Sequence, residues 1–232
     1  MPVSYIISDL HLSAQRPQTA ALFFRFLKEI TTKADRLYIL GDFFDYWIGD
    51  DDWSDFNRQI IDRLRQAADD GLHIYFMAGN RDFLIGQRFC ATAGIHLINE
   101  PYLLSYRRST IVLMHGDLLC GDDKSYLRFR RCVRSRLIQT LYLMLPLRLR
   151  RRLAEKIRHQ SREKNSQYPD IDVTKERIAY YRQSAPYLIH GHTHKFAVHE
   201  ESDYTRYVLG DWHENEGSYI KIDHTIELKH YF

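Results

Sequence analysis

Five short polar motifs recur along this chain, and an apolar run comes shortly before each of them. The motifs are Asp9-Leu10-His11, Gly41-Asp42, Gly79-Asn80-Arg81-Asp82, His115-Gly116 and Gly191-His192-Thr193-His194. The apolar runs occupy residues 5–7, 37–40, 74–77, 111–114 and 187–189. Each run is typical of a buried strand, and the sites of open α/β proteins lie at the ends of such strands. The pattern therefore predicts an α/β fold that collects polar side chains at one edge of its sheet.

The side chains delivered by these motifs include two Asp, one Asn and four His with the chemistry of metal ligands. Carboxylates and imidazoles suit borderline divalent ions such as manganese, iron, zinc or cobalt. Asp9 and His11 stand two apart on an extended segment, so both leave the same face and can bind one ion. Asp42 can bridge two ions about 3.5–4 Å apart because a carboxylate has two oxygens. The set predicts a two-metal centre that hydrolyses a phosphate ester.

Helix and strand patterns alternate through the first half of the chain. Apolar residues at helical spacing are Leu22, Phe23, Phe26, Leu27 and Ile30, followed by Phe56, Ile60, Ile61 and Leu64. The patterns predict strands at 3–8, 36–40 and 73–78 and helices at 18–32, 54–70 and 82–93. Beyond His115 a helical, arginine-rich stretch follows. Antiparallel strands at 196–200, 205–209, 217–223 and 225–231 are then expected to complete a second sheet.

The composition is that of a globular protein, with 44% apolar residues among 232. The first five residues lack the basic stretch of a signal peptide, and no window reaches the ~18 apolar residues of a membrane span. Cys90, Cys120 and Cys132 follow no disulfide or metal-binding spacing and are expected to be free, mostly buried thiols. These features predict a cytoplasmic, reduced protein.

The net charge of +3 hides a strong asymmetry. Residues 124–164 contain fourteen Lys or Arg and two Glu, a net charge of +12, so the rest of the chain carries −9. Such a segment is attracted to phosphates, nucleic acid or an anionic membrane surface. It also contains an apolar stripe of Leu137, Ile138, Leu141, Tyr142, Met144, Leu145 and Leu149. Pro146 should break or kink this stripe. The stripe either packs on the body as a helical hairpin or forms an interfacial helix with basic headgroup contacts.

Taken in order, the five motifs resemble those of the calcineurin-like metallophosphoesterase family, from residue 3 to about residue 223. The resemblance implies an α/β fold built as a four-layer α/β/β/α sandwich with an inserted helical cap. The implied ligands are Asp9, His11, Asp42 and His194 for one ion, and Asp42, Asn80, His115 and His192 for the other. The resemblance also implies two divalent ions, with Mn²⁺ expected, and a hydroxide activated by both as the nucleophile.

The residues implied to act on the phosphate are Asp42, Asn80, Arg81, His115 and His192. Many members of the family carry a histidine where this chain has Arg81. A guanidinium does not donate its proton at working pH, but it binds phosphoryl oxygens bidentately. This favours a leaving group that needs little protonation, such as a phosphate in a pyrophosphate bond. The alternative is that Arg81 forms a salt bridge with Asp82 or another carboxylate.

Other polar residues near the motifs are expected to support the site rather than to bind metal. Asp82 is predicted to hold a neighbouring ligand or Arg81 by hydrogen bonding, and His190 to pack behind the site. Solvated turn residues are expected in an acidic loop that contains Asp45, Asp50, Asp51 and Asp52. Of these, only Asp45 is considered for a supporting role.

Three segments resemble one subgroup of this family more narrowly. They are residues 46–52, residues 79–84 and residues 115–123. The subgroup hydrolyses the pyrophosphate bond of UDP-2,3-diacylglucosamine in lipid A biosynthesis, giving 2,3-diacylglucosamine 1-phosphate and UMP. The implied substrate contacts are Asn80, Arg81, Asp123, Ser161, Asn165 and His192. Tyr168 replaces a lysine of the subgroup, for which Lys164 could substitute.

The same resemblance divides the chain into a catalytic body and a cap. The body would comprise residues 1–121 and 173–232, and the basic, leucine-rich cap residues 122–172. The expected partners are the nucleotide-linked diacyl sugar and an anionic membrane surface, so that the protein would lie peripherally on the cytoplasmic side of the inner membrane. No nucleic acid is expected, and no protein partner is predictable.

Two rival functions remain open at this point. A nuclease or cyclic-nucleotide hydrolase on the same scaffold would use the basic cap to bind phosphates. Against a nuclease, the basic residues of the cap alternate with leucines rather than with aromatic side chains on which bases could stack. The other rival is a scaffold protein that has lost catalysis, and the intact ligand set argues against it.

Overall fold

The computed structural model of the chain describes residues 2–122, 124–167 and 172–232, and of residues 159–167 it describes the helical backbone alone. Eleven strands and seven α-helices are assigned within these ranges.

The first sheet has six strands in the order β11-β10-β1-β2-β3-β4. The strands are β1 (Ser4–Ile7), β2 (Arg36–Ile39), β3 (His73–Met77), β4 (Ile95–Ile98), β10 (Gly217–Ile222) and β11 (Ile226–Tyr231). Strands β1 to β4 are parallel, whereas β10 pairs with β1 and β11 in antiparallel register. All residues of β1 are buried, as expected for a central strand covered on both faces.

The second sheet has five strands in the order β5-β6-β7-β9-β8. The strands are β5 (Tyr102–Tyr106), β6 (Ser109–Met114), β7 (Tyr187–His190), β8 (Ala197–Glu200) and β9 (Thr205–Val208). The expectation that all four C-terminal strands complete this sheet is wrong, because β10 and β11 extend the first sheet instead. Their apolar residues alternate, so that Ile220 and Ile222 face the core between the sheets while Tyr219 packs on the opposite core.

Helices cover the outer faces of both sheets and give the expected four layers. They are α1 (Pro17–Thr31), α2 (Asp55–Asp69), α3 (Gln87–Ala93) and α7 (Lys175–Arg182). One core lies between the first sheet and α1, α2 and α3, a second between the sheets, and a third between the second sheet and α7. Ser54 caps α2 by accepting a hydrogen bond from the backbone of Asn57 at 3.3 Å. The α/β/β/α sandwich is therefore confirmed.

Helix α3 begins at Gln87, five residues later than the predicted start at residue 82. The backbone before it is held by tertiary contacts. Asp50 accepts hydrogen bonds from the N–H groups of Gly86 (3.0 Å) and Phe89 (2.9 Å) and so caps the helix from another loop. The strands β4 and β5 and the helix α7 had no counterpart in the sequence patterns.

Between residues 124 and 167 the structure describes three α-helices, which lie outside the body. They are α4 (Lys124–Val133), α5 (Arg136–Leu143) and α6 (Leu147–Gln167), and Pro146 separates α5 from α6 as predicted. Among the side chains described in residues 124–158, only Arg150 is buried. The apolar stripe is therefore not a core element, because Leu137, Leu141 and Met144 are exposed. Within the described ranges no helix combines the length and apolarity needed to cross a bilayer.

The cysteines match their predicted state. Cys90 and Cys120 are buried, Cys132 is exposed, and none of the three forms a disulfide.

Candidate metal centre

The seven predicted ligands all follow strands that end at the same side of the molecule. Asp9, Asp42 and Asn80 come two or three residues after the parallel strands β1, β2 and β3. His115 and His192 follow the parallel strands β6 and β7 of the other sheet. The strand-end pattern in the sequence thus corresponds to one real site where both sheets meet.

Five of the seven ligands have a left-handed backbone, which side chains other than glycine rarely adopt. The residues and φ angles are Asp9 (57°), His11 (49°), Asp42 (50°), His192 (66°) and His194 (58°). Each such residue costs on the order of 1–3 kcal/mol and persists where surrounding structure enforces it, as at functional sites. Here backbone hydrogen bonds do so, since the N–H groups of Asp9 and His11 donate to the carbonyls of Gly41 (3.1 Å) and Asp42 (3.0 Å).

Asp9, His11 and His194 form the first ligand group, with ligand atoms all within 4.8 Å of one another. Nε2 of His194 lies 3.3 Å from Oδ1 of Asp9 and 3.4 Å from Nε2 of His11. The other oxygen of Asp9 accepts hydrogen bonds from the Ser8 hydroxyl (2.5 Å) and the His192 N–H (2.8 Å). Its Oδ1 is therefore turned toward the two imidazoles.

Asp42, His115 and His192 form the second group, and Asn80 lies between its members. Oδ1 of Asn80 lies 2.9 Å from Nε2 of His115 and 3.0 Å from Nδ1 of His192. Nε2 of His115 is also 3.6 Å from Oδ1 of Asp42. Nδ1 of His115 donates to the Leu40 carbonyl at 2.8 Å, so Nε2 is the ring nitrogen that faces the other members of the group and would bind a metal.

The electrostatics of the site favour bound cations. Desolvation, reinforced by Arg81, lowers the pKa of His11, and desolvation with the nearby His115 lowers the pKa of His192 to about 4. Both imidazoles are neutral at pH 7 and can act as ligands. Burial alone would lower the pKa of His115, but the carboxylates of Asp42 and Asp9 raise it to about 9. The same carboxylates would attract a metal ion.

Two divalent ions fit this arrangement. Oδ1 of Asp9 and Nδ1 of His11 are buried without a well-aligned hydrogen bond, which is costly unless a ligand satisfies them. The donors are carboxylate, amide and imidazole groups, which suit manganese, iron, zinc or cobalt. The roles of the seven side chains as ligands remain predictions, which the close spacing of the ligand atoms within the two groups supports.

Asp82 supports the site through the backbone. Its Oδ2 accepts hydrogen bonds from the N–H groups of Phe43 (2.8 Å) and Phe44 (3.4 Å), and its Oδ1 accepts one from Gly79 (2.7 Å). The buried carboxylate therefore joins the loop of Asp42 to the loop of Asn80. Asp82 was predicted to hold either a neighbouring ligand or Arg81, and these hydrogen bonds correspond to the first alternative, through the backbone of the two ligand loops.

Arg81 lies beside two other carboxylates. Its Nη1 is 3.1 Å from Oδ1 of Asp45, and its Nε is 3.4 Å from Oδ2 of Asp42. The alternative of a salt bridge with a carboxylate of the body is therefore realised, although not with Asp82. A quarter of the Arg81 side chain remains exposed to solvent, so the guanidinium can also meet a ligand.

The prediction of a solvated acidic loop agrees with Asp51, whose side chain is 48% exposed, but is wrong for Asp45 and Asp52. Asp45 and Asp52 are buried, and Asp50 accepts the hydrogen bonds that cap α3. Three pairs join this loop to α6, namely Asp51 with Arg150, Asp52 with Arg151, and Asp45 with Arg158. Their partners stand about 100 positions along the chain, so local sequence carried no sign of them.

His190 is structural, as predicted. It is fully buried, its Nδ1 lies 2.8 Å from the Gly191 carbonyl, and its Nε2 lies 3.2 Å from Nη1 of Arg206.

Asp211 is a site residue that sequence reasoning missed. Its Oδ2 lies 3.6 Å from Nδ1 of His194, on the side of the ring away from Asp9. Burial alone would lower the pKa of His194, but Asp9 and, more weakly, Asp211 raise it. The signal was present, because Gly210-Asp211 follows β9 just as Gly41-Asp42 follows β2.

The predicted contacts with the sugar and its acyl chains lie outside the described residues. This applies to Asp123 and Tyr168 and to the side chains of Ser161, Lys164 and Asn165. Their roles stay predictions.

Comparison with known proteins gives consistent matches. The sequence pattern of the family described as calcineurin-like phosphoesterase matches residues 4–196. A protein of Haemophilus influenzae called UDP-2,3-diacylglucosamine hydrolase is 44% identical, and the match covers 98% of each chain. Proteins of the same name from Neisseria gonorrhoeae and Edwardsiella ictaluri are 44% and 45% identical, cover 96% of this chain, and are themselves covered to 95% and 90%. The similarity therefore extends through the motifs and the inserted helices alike.

Proposed function

The chain belongs to the calcineurin-like phosphoesterase family, and from this premise we propose that it hydrolyses the pyrophosphate bond of UDP-2,3-diacylglucosamine. The products are UMP and 2,3-diacylglucosamine 1-phosphate, and the reaction is a step of lipid A biosynthesis. The observation that carries this proposal is the 44% identity, over 98% of both chains, to a protein named for that substrate. Identity over this length includes the inserted helices as well as the metal motifs.

The seven ligands would hold two divalent ions, Mn²⁺ in this proposal. Asp9, His11 and His194 would hold one ion, Asn80, His115 and His192 would hold the other, and Asp42 would contribute to both. When bound, such ions lower the pKa of water toward ~7 and neutralise charge on phosphoryl oxygens. The burial of Asp9 and His115 supports this role, since a low-dielectric site strengthens the attraction between ligand and metal.

Arg81 binds the phosphoryl oxygens of the substrate. Asp45 and Asp42 hold its guanidinium at the edge of the metal centre, and its exposed part faces the solvent that a substrate would displace. The guanidinium keeps its proton at working pH, so it stabilises negative charge and does not act as a general acid. Cleavage of a pyrophosphate suits this arrangement, because the leaving phosphate needs little protonation.

The segment 122–172 acts as a cap on a body formed by residues 1–121 and 173–232. Its exposed apolar side chains include Leu137, Leu141 and Met144. Exposed basic residues accompany them, namely Lys124, Arg128, Arg131, Arg136, Arg148, Arg152 and Lys156. An apolar surface surrounded by cations suits acyl chains and anionic headgroups, and near a membrane each cation contributes ~1 kcal/mol. The cap thereby attaches the protein peripherally to the cytoplasmic side of the inner membrane.

Substrate choice tests this function directly. UMP release from UDP-2,3-diacylglucosamine in detergent micelles with Mn²⁺ is compared with cleavage of single-stranded DNA and of bis(p-nitrophenyl) phosphate. The proposal expects rapid UMP release and slow cleavage of the other two. Cleavage of DNA or the simple diester without UMP release would favour the nuclease alternative and reject the lipid substrate.

Membrane attachment needs a separate test. Leu141→Ser should weaken cosedimentation with vesicles that contain anionic lipid, because it removes an apolar side chain that is 54% exposed. Leu103→Ser is the matched control, since Leu103 is 63% exposed on β5 of the body. Equal losses for both variants, or none for either, would argue against the cap as the membrane contact.

A further inference from the structure

A buried ion cluster lies next to the second ligand group and is not used in the reaction described above. Arg130 of α4 donates hydrogen bonds to Oδ2 of Asp117 at 2.6 Å and to Oε2 of Glu100 at 2.9 Å. The side chains of Glu100 and Asp117 are 5% and 0% exposed, and that of Arg130 is 15% exposed. A cation from the inserted helices thus balances two buried carboxylates of the body.

Glu100 connects this cluster to His115. Its Oε1 accepts hydrogen bonds from the N–H groups of His115 (2.8 Å) and Gly116 (3.2 Å). Gly116 has a φ of 122°, and a Cβ at this position would lie 2.9 Å from the Gly191 carbonyl. The turn at His115 therefore has little freedom, and a shift of Glu100 would move the imidazole.

Tyr126 lies one turn before Arg130 on the same face of α4 and also contacts Asp117. Its hydroxyl donates to Oδ2 of Asp117 at 2.5 Å. Its ring is nearly parallel to that of His192, with the centroids 6.4 Å apart and an interplanar angle of 30°. Tyr126 therefore borders the imidazole of His192.

Arg134 directly follows α4, and its N–H donates to the Arg130 carbonyl at 3.0 Å, so it continues the row of Tyr126 and Arg130. Its Nη2 donates to the carbonyls of Ala78 (3.2 Å) and Gly79 (2.8 Å), the two residues that precede Asn80. Residues four apart on a helix share a face, so Tyr126, Arg130 and Arg134 form one row. Through these three side chains the α4 segment contacts the neighbours of Asn80 and His115 and the ring of His192. These are the three ligands assigned only to the second ion.

We propose that Tyr126, Arg130 and Arg134 are positioning residues for the second metal ion, so that docking of α4 on the body assembles that half of the metal centre. The inference rests on the ligand assignment in the proposed function. It adds that the inserted segment controls the affinity for one ion of the pair, in addition to contacting the substrate.

The test is Mn²⁺ binding, measured by calorimetric titration of the metal-depleted protein and by electron paramagnetic resonance. Arg130→Met should weaken binding of one Mn²⁺ by about 10- to 100-fold, as is usual when a residue that orients a metal ligand is lost. The other Mn²⁺ should keep its affinity, and the spectrum of a coupled ion pair should change to that of isolated Mn²⁺. Arg131→Met is the matched control, because Arg131 is an exposed neighbour on α4.

Arg134→Met is the second variant, since its loss leaves no buried carboxylate unbalanced and endangers folding less than loss of Arg130. It should show the same selective loss in a protein whose unfolding midpoint matches the control. An equal loss at both ions, or unchanged binding in folded Arg130→Met and Arg134→Met, would overturn the inference. A wild-type protein that does not bind two Mn²⁺ ions would instead reject the ligand assignment, and with it the proposed function.

Discussion

Nη1 of Arg81 lies 3.1 Å from Oδ1 of Asp45, a buried carboxylate that also pairs with Arg158 of α6. One side chain of the acidic loop therefore contacts both the Gly-Asn-Arg-Asp motif and the inserted helices. Asp45 and Asp42, rather than Asp82, orient the guanidinium of Arg81. Arg81 can therefore be substituted without removing the hydrogen bonds that Asp82 accepts.

Replacing Arg81 by lysine should reduce kcat/KM about 10- to 100-fold. Lysine keeps the charge but loses the planar fork, and a hydrogen bond to a charged group contributes about 1.5–3 kcal/mol. Arg58→Lys on the exposed face of α2 is the control and should change nothing. Wild-type kinetics for Arg81→Lys in the UMP-release assay would show that bidentate binding is not needed.

Asp82→Ala should destabilise the fold by about 3 kcal/mol. The substitution leaves buried N–H groups in the loops of Asp42 and Asn80 without an acceptor, and each such group costs about 1–3 kcal/mol. Urea unfolding measures the change. Asp69→Ala is the control, because Asp69 takes part in an exposed pair with Arg65 that contributes little. Similar midpoints for the two variants would contradict the role given to Asp82.

Arg150→Met should loosen α6 from the body. Arg150 donates hydrogen bonds to the Ile48 and Leu145 carbonyls and to Asp51, and it is buried. Its loss leaves the Ile48 carbonyl unsatisfied, at a cost of about 1–3 kcal/mol. Trypsin should then cut the inserted helices faster. Arg152→Met is the matched control for the cleavage rate, because it removes an exposed arginine of the same helix. Equal rates would show that α6 is held by other contacts.

The pair of Asp51 and Arg150 should give a pH-dependent contribution to stability. The hydrogen bond from Arg150 holds the pKa of Asp51 below its ordinary value of 3.8. A depressed carboxyl pKa means that the stabilisation is present above pH 3.8 and is lost as the pH falls through the lower folded-state value. The unfolding midpoint of the wild type should therefore exceed that of Asp51→Asn at neutral pH, and the difference should shrink as the pH is lowered progressively below 3.8. A constant difference would mean that the charge of Asp51 is not involved.

Local sequence predicted the parts of the fold that depend on local chemistry. The five motifs mark strand ends because buried runs and polar turns are short-range features. They contain all six members of the two ligand groups and Asn80, although not Asp211 beside His194. The break in the helix at Pro146 was predicted as well, because the effect of a proline on a helix is local. No local pattern in the sequence predicted the left-handed backbone at Asp9 and Asp42, because hydrogen bonds between neighbouring strand ends impose it.

The features that were mispredicted depend on partners far along the chain. Strand β10 pairs with β1, and its alternating pattern would fit either sheet. Helix α3 starts where Asp50, 36 residues earlier, accepts the N–H of Gly86. Asp45 and Asp52 of the acidic loop are buried, and each pairs with an arginine of α6. No periodicity or spacing encodes such pairings, so they emerge only in three dimensions.

The measurement that most directly tests the central claim is a titration of Mn²⁺ into metal-depleted protein, with bound metal and UMP release from UDP-2,3-diacylglucosamine followed together. The account predicts that UMP release rises with the second ion bound per chain, and that His11→Ala loses both one ion and the release. UMP release from the metal-free protein, or unchanged release by His11→Ala, would contradict it.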